Sequence, residues 1–226
     1  MDQYCTAVYD MQVQRTMENL RKNNMQVEYV AHKEEVVPLL STWIPEGATV
    51  AVGGSMSLFE CGVIDHLGSG RYQFINRYTP NMTPEESQKV QEDTHLVDTF
   101  LCSSNAVTEA GELYNVDGMN TRIGHILSGP RQVIMVVGVN KIVGDLQQAI
   151  YRVKTVAAPA NCRRLGCDTF CAKKGYCASL AGGEKYPPMA SGCSSPARIC
   201  SGYLVSSYQR IPNRIKIILV GEDLGY

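Results

Sequence analysis

The apolar residues of this chain change their spacing several times, and each change marks an element. Val8, Met11, Met17 and Leu20 fall roughly on one face of a helix over residues 7–24. A short strand, Gln26–Ala31, and a helix over Glu34–Trp43 follow, closed by the turn Pro45-Glu46-Gly47. Residues 48–52, Ala-Thr-Val-Ala-Val, read as a buried strand that ends in Gly53-Gly54-Ser55 and opens a helix through Leu67. Tyr72–Ile75 is a further strand. Thr83-Pro84-Glu85-Glu86 is a helix start, with threonine as N-cap, proline in the first turn and acids at the positive end of the dipole. That helix should run to about Leu96. The strand Asp98–Cys102 leads into Ser103-Ser104-Asn105. Residues 106–118 read as irregular or hairpin-like, with turn signals at Gly111 and Asp117-Gly118, before a helix from about Asn120 to Leu127.

Gln132–Val137 is the strongest strand, an uninterrupted apolar run of the kind that is covered on both faces. It passes through Gly138-Val139-Asn140-Lys141 into a helix over 145–157, and Arg214–Val220 returns as the last strand. Strands alternating with helices indicate an α/β fold with a mainly parallel open sheet flanked by helices. The chain reads as one domain over 1–226, with residues 158–202 inserted before the last strand.

Three polar motifs follow three of these strands directly: Gly53-Gly54-Ser55, Ser103-Ser104-Asn105 and Gly138-Val139-Asn140-Lys141. In an open parallel sheet the carboxyl ends of the strands share one edge, where ligands bind. The candidate ligand-binding residues are therefore Gly53, Gly54, Ser55, Ser104, Asn105, Asn140 and Lys141, and the candidate catalytic ones Glu60, Asn105, Asp117 and Lys141. Lys141 is either a cation for an acidic substrate or a solvated loop lysine. Asp117 is a turn residue or a polar site group, and Glu60 faces the crevice or the solvent. Cys102, Cys61 and Cys5 read as small core hydrophobes.

Residues 158–202 cannot build an apolar core, being rich in Gly, Pro and Ser. They hold six of the nine cysteines: Cys162, Cys167, Cys171, Cys177, Cys193 and Cys200. With no export signal and no apolar run long enough to span a membrane, the expected compartment is the cytoplasm. There, clustered cysteines read as a metal site rather than disulfides. Their spacing names neither zinc nor an iron–sulfur cluster. A net charge of −1 gives no footprint for nucleic acid.

Several segments together resemble the lactate-utilisation (LUD) domain family, in a branch with a C-terminal cysteine segment. They are Gly53–Leu58 with Glu60, Ser103–Leu113, Asn115–Gly118 with Asn120 and Arg122, and Val137–Val143. Near the end come Cys171, Gly175, Cys177, Cys193–Pro196, Arg198–Cys200 and Val220–Gly225. The resemblance implies a fold like the NagB/RpiA/CoA-transferase group and an iron–sulfur role for Cys171, Cys177, Cys193 and Cys200, as ligands of a [4Fe–4S] cluster with zinc the alternative. Cys162, Cys167 and the stretch Ala178–Gly192 depart from the family pattern, and either extra cysteine is a possible substitute ligand. Asn105–Arg122 also resembles the sugar-phosphate isomerases of that fold group. Those carry an acid about where this chain has Asn105, and an amide is no general acid or base.

The expected function is that of an iron–sulfur redox protein, in electron transfer or oxidoreductase chemistry linked to a small organic acid such as lactate. The competing classes are a transferase or isomerase with a structural metal and a non-catalytic accessory or sensing subunit. The expected ligand is a small anionic organic acid. The expected macromolecular partners are a redox partner protein and a second copy of the chain, as a homodimer.

Overall fold

The structure, a computed structural model, describes residues 2–226. The chain begins with α1 (Gln3–Lys22), β1 (Gln26–Val30), a 3-10 turn and α2 (Val36–Trp43). β2 (Thr49–Val52) enters α3 (Met56–Glu60) and α4 (Val63–Leu67), and β3 (Gln73–Ile75) follows. Next come α5 (Pro84–Asp93), β4 (Thr99–Cys102), β5 (Ala106–Thr108), β6 (Leu113–Asp117) and α6 (Thr121–Leu127). The last third contains β7 (Gln132–Gly138), β8 (Ile142–Val143), α7 (Leu146–Arg152), α8 (Ala158–Arg164), α9 (Phe170–Lys174), β9 (Gly202–Ser206) and β10 (Ile215–Val220).

Six strands form a parallel sheet in the order β3-β2-β4-β7-β10-β1. From β2 the chain moves outward to β3; from β4 it moves the other way, to β7 and β10. The direction reverses between β2 and β4, and that switch point is where an open α/β sheet leaves a crevice.

The continuous apolar run of β7 has the expected cause. Val133, Met135 and Val137 point into one apolar layer with Val13, Met17 and Leu20 of α1. Ile134 and Val136 point into the other, against Leu40 of α2, Leu58 of α3 and Leu67 of α4. Each such side chain, fully buried, contributes about 1.5–3 kcal/mol.

Local chemistry fixes the ends of several elements. Thr83 and Glu86 close a capping box at the start of α5. Gly62, at φ 68°, divides the predicted helix through Leu67 into α3 and α4. The predicted first helix starts earlier than residue 7 and is rotated: Val8 and Met11 are exposed, and Val13, Thr16, Met17 and Leu20 face the core. Cys5 is exposed too, whereas Cys61 and Cys102 are buried as expected.

A second sheet, ordered β8-β5-β6-β9, was not foreseen. β5 and β6 make the hairpin expected within 106–118, and β9 pairs antiparallel with β6 from Leu113↔Ser206 to Asp117↔Gly202. β9 therefore fastens the end of the cysteine segment to the hairpin. The predicted helix over 145–157 also runs on, through a π-helical step at Val153–Ala157 into α8. Pro159 has no N–H for an α-type bond and its ring crowds the carbonyl four residues back, which favours the wider turn. Among the described residues no helix is long and apolar enough to cross a membrane.

The C-terminal residues close over the end of β7. A Cβ at Gly138 would stand 2.6 Å from the Glu222 carbonyl oxygen and 2.6 Å from the Leu224 nitrogen. Gly138→Ala should therefore displace residues 222–224 and cost about 1–3 kcal/mol, read as a lower denaturant midpoint at unchanged slope. A variant as stable as the parent would refute this close packing.

Candidate functional site

Gly54 and Ser55 after β2, Ser103, Ser104 and Asn105 after β4, and Lys141 after β7 line one cleft at the switch point. Asp117, Arg122, Asn161, Arg164 and Tyr226 complete its polar wall. The cleft's cavity volume is about 110 Å³, and its mouth opens to solvent.

Lys141 is buried on the 3-10 turn that follows β7. Its Nζ donates to Ser57 Oγ at 2.8 Å and to Ser103 Oγ at 3.0 Å. No carboxylate pairs with it among the described residues. Burial, reinforced by Arg152 and Arg122, brings its pKa down to about 7.

Arg122 uses all five of its N–H donors inside the protein. Nε donates to Asp117 Oδ1 at 3.1 Å. One terminal nitrogen donates to the Ser103 carbonyl at 2.8 Å and to Asn115 Oδ1. The other reaches Asn105 Oδ1 at 2.8 Å and the Val116 carbonyl at 3.0 Å. Arg122 thus contributes charge to the cleft but no free donor. Arg164, at the rim, is held by Asn161 and the Tyr226 hydroxyl. Ser55 Oγ is buried with no partner within the protein.

Behind the cleft lies a second, smaller cavity, lined by Cys171, Cys177, Cys193 and Cys200. Its other walls are largely apolar, from Tyr114, Val153, Ala158, Met189 and Tyr203. The Cys177 backbone N–H donates to the Lys154 carbonyl at 2.8 Å. Ser179 Oγ donates to Cys177 Sγ at 3.3 Å, and Thr169 Oγ1 lies 3.4 Å from Cys171 Sγ. Arg198 donates to the carbonyls of Cys200 at 2.8 Å and Cys193 at 3.1 Å. Lys154 is also buried in this wall, with Nζ on Ser179 Oγ at 3.1 Å and on Ser191. Burial lowers its pKa, and Cys177 and Cys200 oppose that shift. Val153, Ala158 and Cys200 line both cavities.

Residues 13–220 match the LUD domain family. The chain belongs to that family. The crystal structure of a DUF162 family protein from Deinococcus radiodurans has the same fold, with a TM-score of 0.52 at 12% identity, covering 94% of this chain and 98% of that one. Among curated proteins nothing matches. Family membership supports a role associated with lactate utilisation.

Within this LUD domain the candidates named from the sequence fare differently. Gly54, Ser55, Ser104, Asn105, Asp117 and Lys141 all line the cleft. Gly53 stands behind it, where a Cβ would press on Arg122 at 3.1 Å. Asn140 turns to the C-terminal residues and accepts from the Leu224 N–H at 3.2 Å. Glu60 accepts from the Gly225 N–H at 2.8 Å instead of facing the cleft. Asn105 aligns two arginines: its side chain accepts from Arg122 and its carbonyl from Arg152, at 2.7 Å. Asp117 pairs with Arg122 and caps the Ile123 N–H at 2.9 Å, so both its oxygens are engaged. Of the four candidate catalytic residues, Lys141 alone brings an ionisable group without a charged partner to the cleft.

Arg122, Arg164 and Tyr226 were not identified from the sequence as residues of the cleft. Arg122 carried a signal, a charge beside Ile123 and Ile126 on a short apolar helix. Arg164, among the charges of the cysteine segment, carried none.

The lysine makes stability depend on pH. Folded Lys141 releases its proton near 7, against the ordinary 10.5. Between those values the unfolded chain binds more protons, so stability rises with pH across the window and loses that gain below it. Lys141→Met should flatten this rise by at most about 1.4 kcal/mol per pH unit. Urea unfolding at several pH values across the window, parent against variant, reads the slopes; parallel slopes would mean an unperturbed lysine.

Proposed function

We propose that this LUD domain is an iron–sulfur redox protein, in which Cys171, Cys177, Cys193 and Cys200 hold a [4Fe–4S] cluster beside a cleft for a small organic acid. One observation carries the reading: Cys200 lines both the cysteine cavity and the cleft. A cluster on these four thiolates would supply one-electron chemistry at the wall of the acid site.

The residues present fit such a group. Among the described residues no three His, Cys, Asp or Glu side chains converge tightly enough to grip one ion. Thiolates around a single zinc lie roughly 4 Å apart, whereas each thiolate of a cubane binds a different iron. Four cysteines around one cavity supply the number of thiolates a cubane needs. Lys154, a buried cation without a carboxylate partner, suits the negative charge of a thiolate-bound cluster. Cys162 and Cys167 stand outside the cavity lining. Cys162 is buried beside Cys171, and burial pushes its thiol up to about 12.

The cleft supports a small anionic organic acid, of which lactate is one example, as the ligand. Arg164 offers a guanidinium at the mouth. The neighbouring Arg122 adds positive charge, offset in part by Asp117.

Protein prepared without oxygen should be brown and hold about four iron and four sulfide per chain. Serine in place of Cys171, Cys177, Cys193 or Cys200 should remove or weaken the cluster, and in place of Cys5, Cys61 or Cys102 should not. One equivalent of zinc without sulfide would falsify the cluster.

Arg164→Ala should weaken binding of a small carboxylate by about 1–3 kcal/mol and leave iron content unchanged. Calorimetric titration with lactate and its analogues, alongside the cluster's EPR signal, measures both. Equal affinity in parent and variant would move the acid elsewhere.

A further inference from the structure

We propose that Lys141 is a nucleophile that captures the carbonyl group of a 2-oxo acid bound in the cleft, forming an imine at its Nζ. The inference rests on the acid-binding role of the cleft and adds a covalent step to it.

The environment of Nζ is unlike that of a structural lysine. A buried ammonium is normally neutralised by a carboxylate; this one meets only two hydroxyls, Ser57 Oγ and Ser103 Oγ. Glu60, the nearby acid, is engaged by the backbone of Gly225. The two guanidinium groups near it, Arg122 and Arg152, are both fixed in place, Arg152 on the carbonyls of Asn140 and Asn105. A lysine that is desolvated and beside other cations is the recognised form of an amine nucleophile, since both conditions favour the neutral amine. The direction of its pKa, down to about 7, agrees.

The remaining groups suit a 2-oxo acid. Its carboxylate has the Arg164 guanidinium at the rim to bind. The adjacent carbonyl can then address Nζ deeper in the cleft. The neutral amine adds to the carbonyl carbon, forming the C–N bond as the carbonyl π electrons move to oxygen. The amine's protons pass to that oxygen, which leaves as water when the imine forms. Ser57 and Ser103 are placed on Nζ to relay these protons. No oxidant, reductant or second substrate is required. A plain hydroxy acid has no ketone or aldehyde carbonyl and cannot form the adduct.

The test is reductive trapping on the full-length protein with cluster in place. Pyruvate, oxaloacetate and glyoxylate are each added with borohydride, and the intact mass and a peptide map are recorded. With pyruvate the expected product gains the mass of one pyruvic acid less one oxygen atom, located on Lys141. Lactate should give none. Lys141→Arg supplies no amine that can form the imine and should lower trapping at least tenfold; Lys141→Met should do the same. Calorimetry with the same acids separates the two ideas. Binding without an adduct, an adduct on another lysine, or an adduct that persists in Lys141→Arg overturns the covalent role and leaves acid binding standing. Neither binding nor adduct overturns both.

Discussion

The guanidinium of Arg122 is the joint on which this molecule depends. Its five donors reach the loop after β4, the β5–β6 hairpin and, through Asp117, the start of α6. Leaving such a charge buried without partners would cost several kcal/mol, so the loop, the hairpin and the helix must be positioned together. The constraint extends further. Gly53 lacks a side chain where Arg122 passes, and the hairpin that Arg122 orders is the edge on which β9 pairs. The parallel sheet supplies the crevice, and this buried cation decides which polar groups stand around it.

Much of the architecture was legible in the amino-acid pattern, because two faces of one sheet impose a simple rule. The unbroken apolar run of β7 can only lie between two layers, and Thr83 with Glu86 writes a helix start into four residues. The second sheet was hidden for an equally physical reason. β5 and β8 have three and two residues, too few for a period of two to show. The first helix misled because Val8 and Met11 are apolar but exposed, so the stripe read from the sequence was rotated away from the buried one.

The site was readable as a location but only partly as chemistry. Strand–motif–helix order alone puts Gly54, Asn105 and Lys141 on one edge, where they line the cleft. It could not show that Asn105 and Asp117 are committed to Arg122 or that Glu60 holds the chain's last residues, because those bonds join distant segments. Lys141 looked like any loop lysine in sequence, since its character comes from the burial of its head group and not from its neighbours in the chain. The cysteines show the same contrast. Their spacing named no ligand set, yet folding gathers four of the six around one cavity.

The cysteine segment is clamped at both ends, by the helix that runs through α8 on one side and by β9 on the other. Between Cys177 and Cys193, residues 181–186 are exposed and carry Gly182 and Gly183. A segment with fixed ends can grow at its middle for little free energy, since doubling a flexible loop adds only about 0.6 kcal/mol. Length in this stretch is therefore a nearly free variable. It can lengthen or shorten, or accept an inserted tag, so long as Ser179, Met189 and Ser191 at its two ends keep their places against the cysteine cavity.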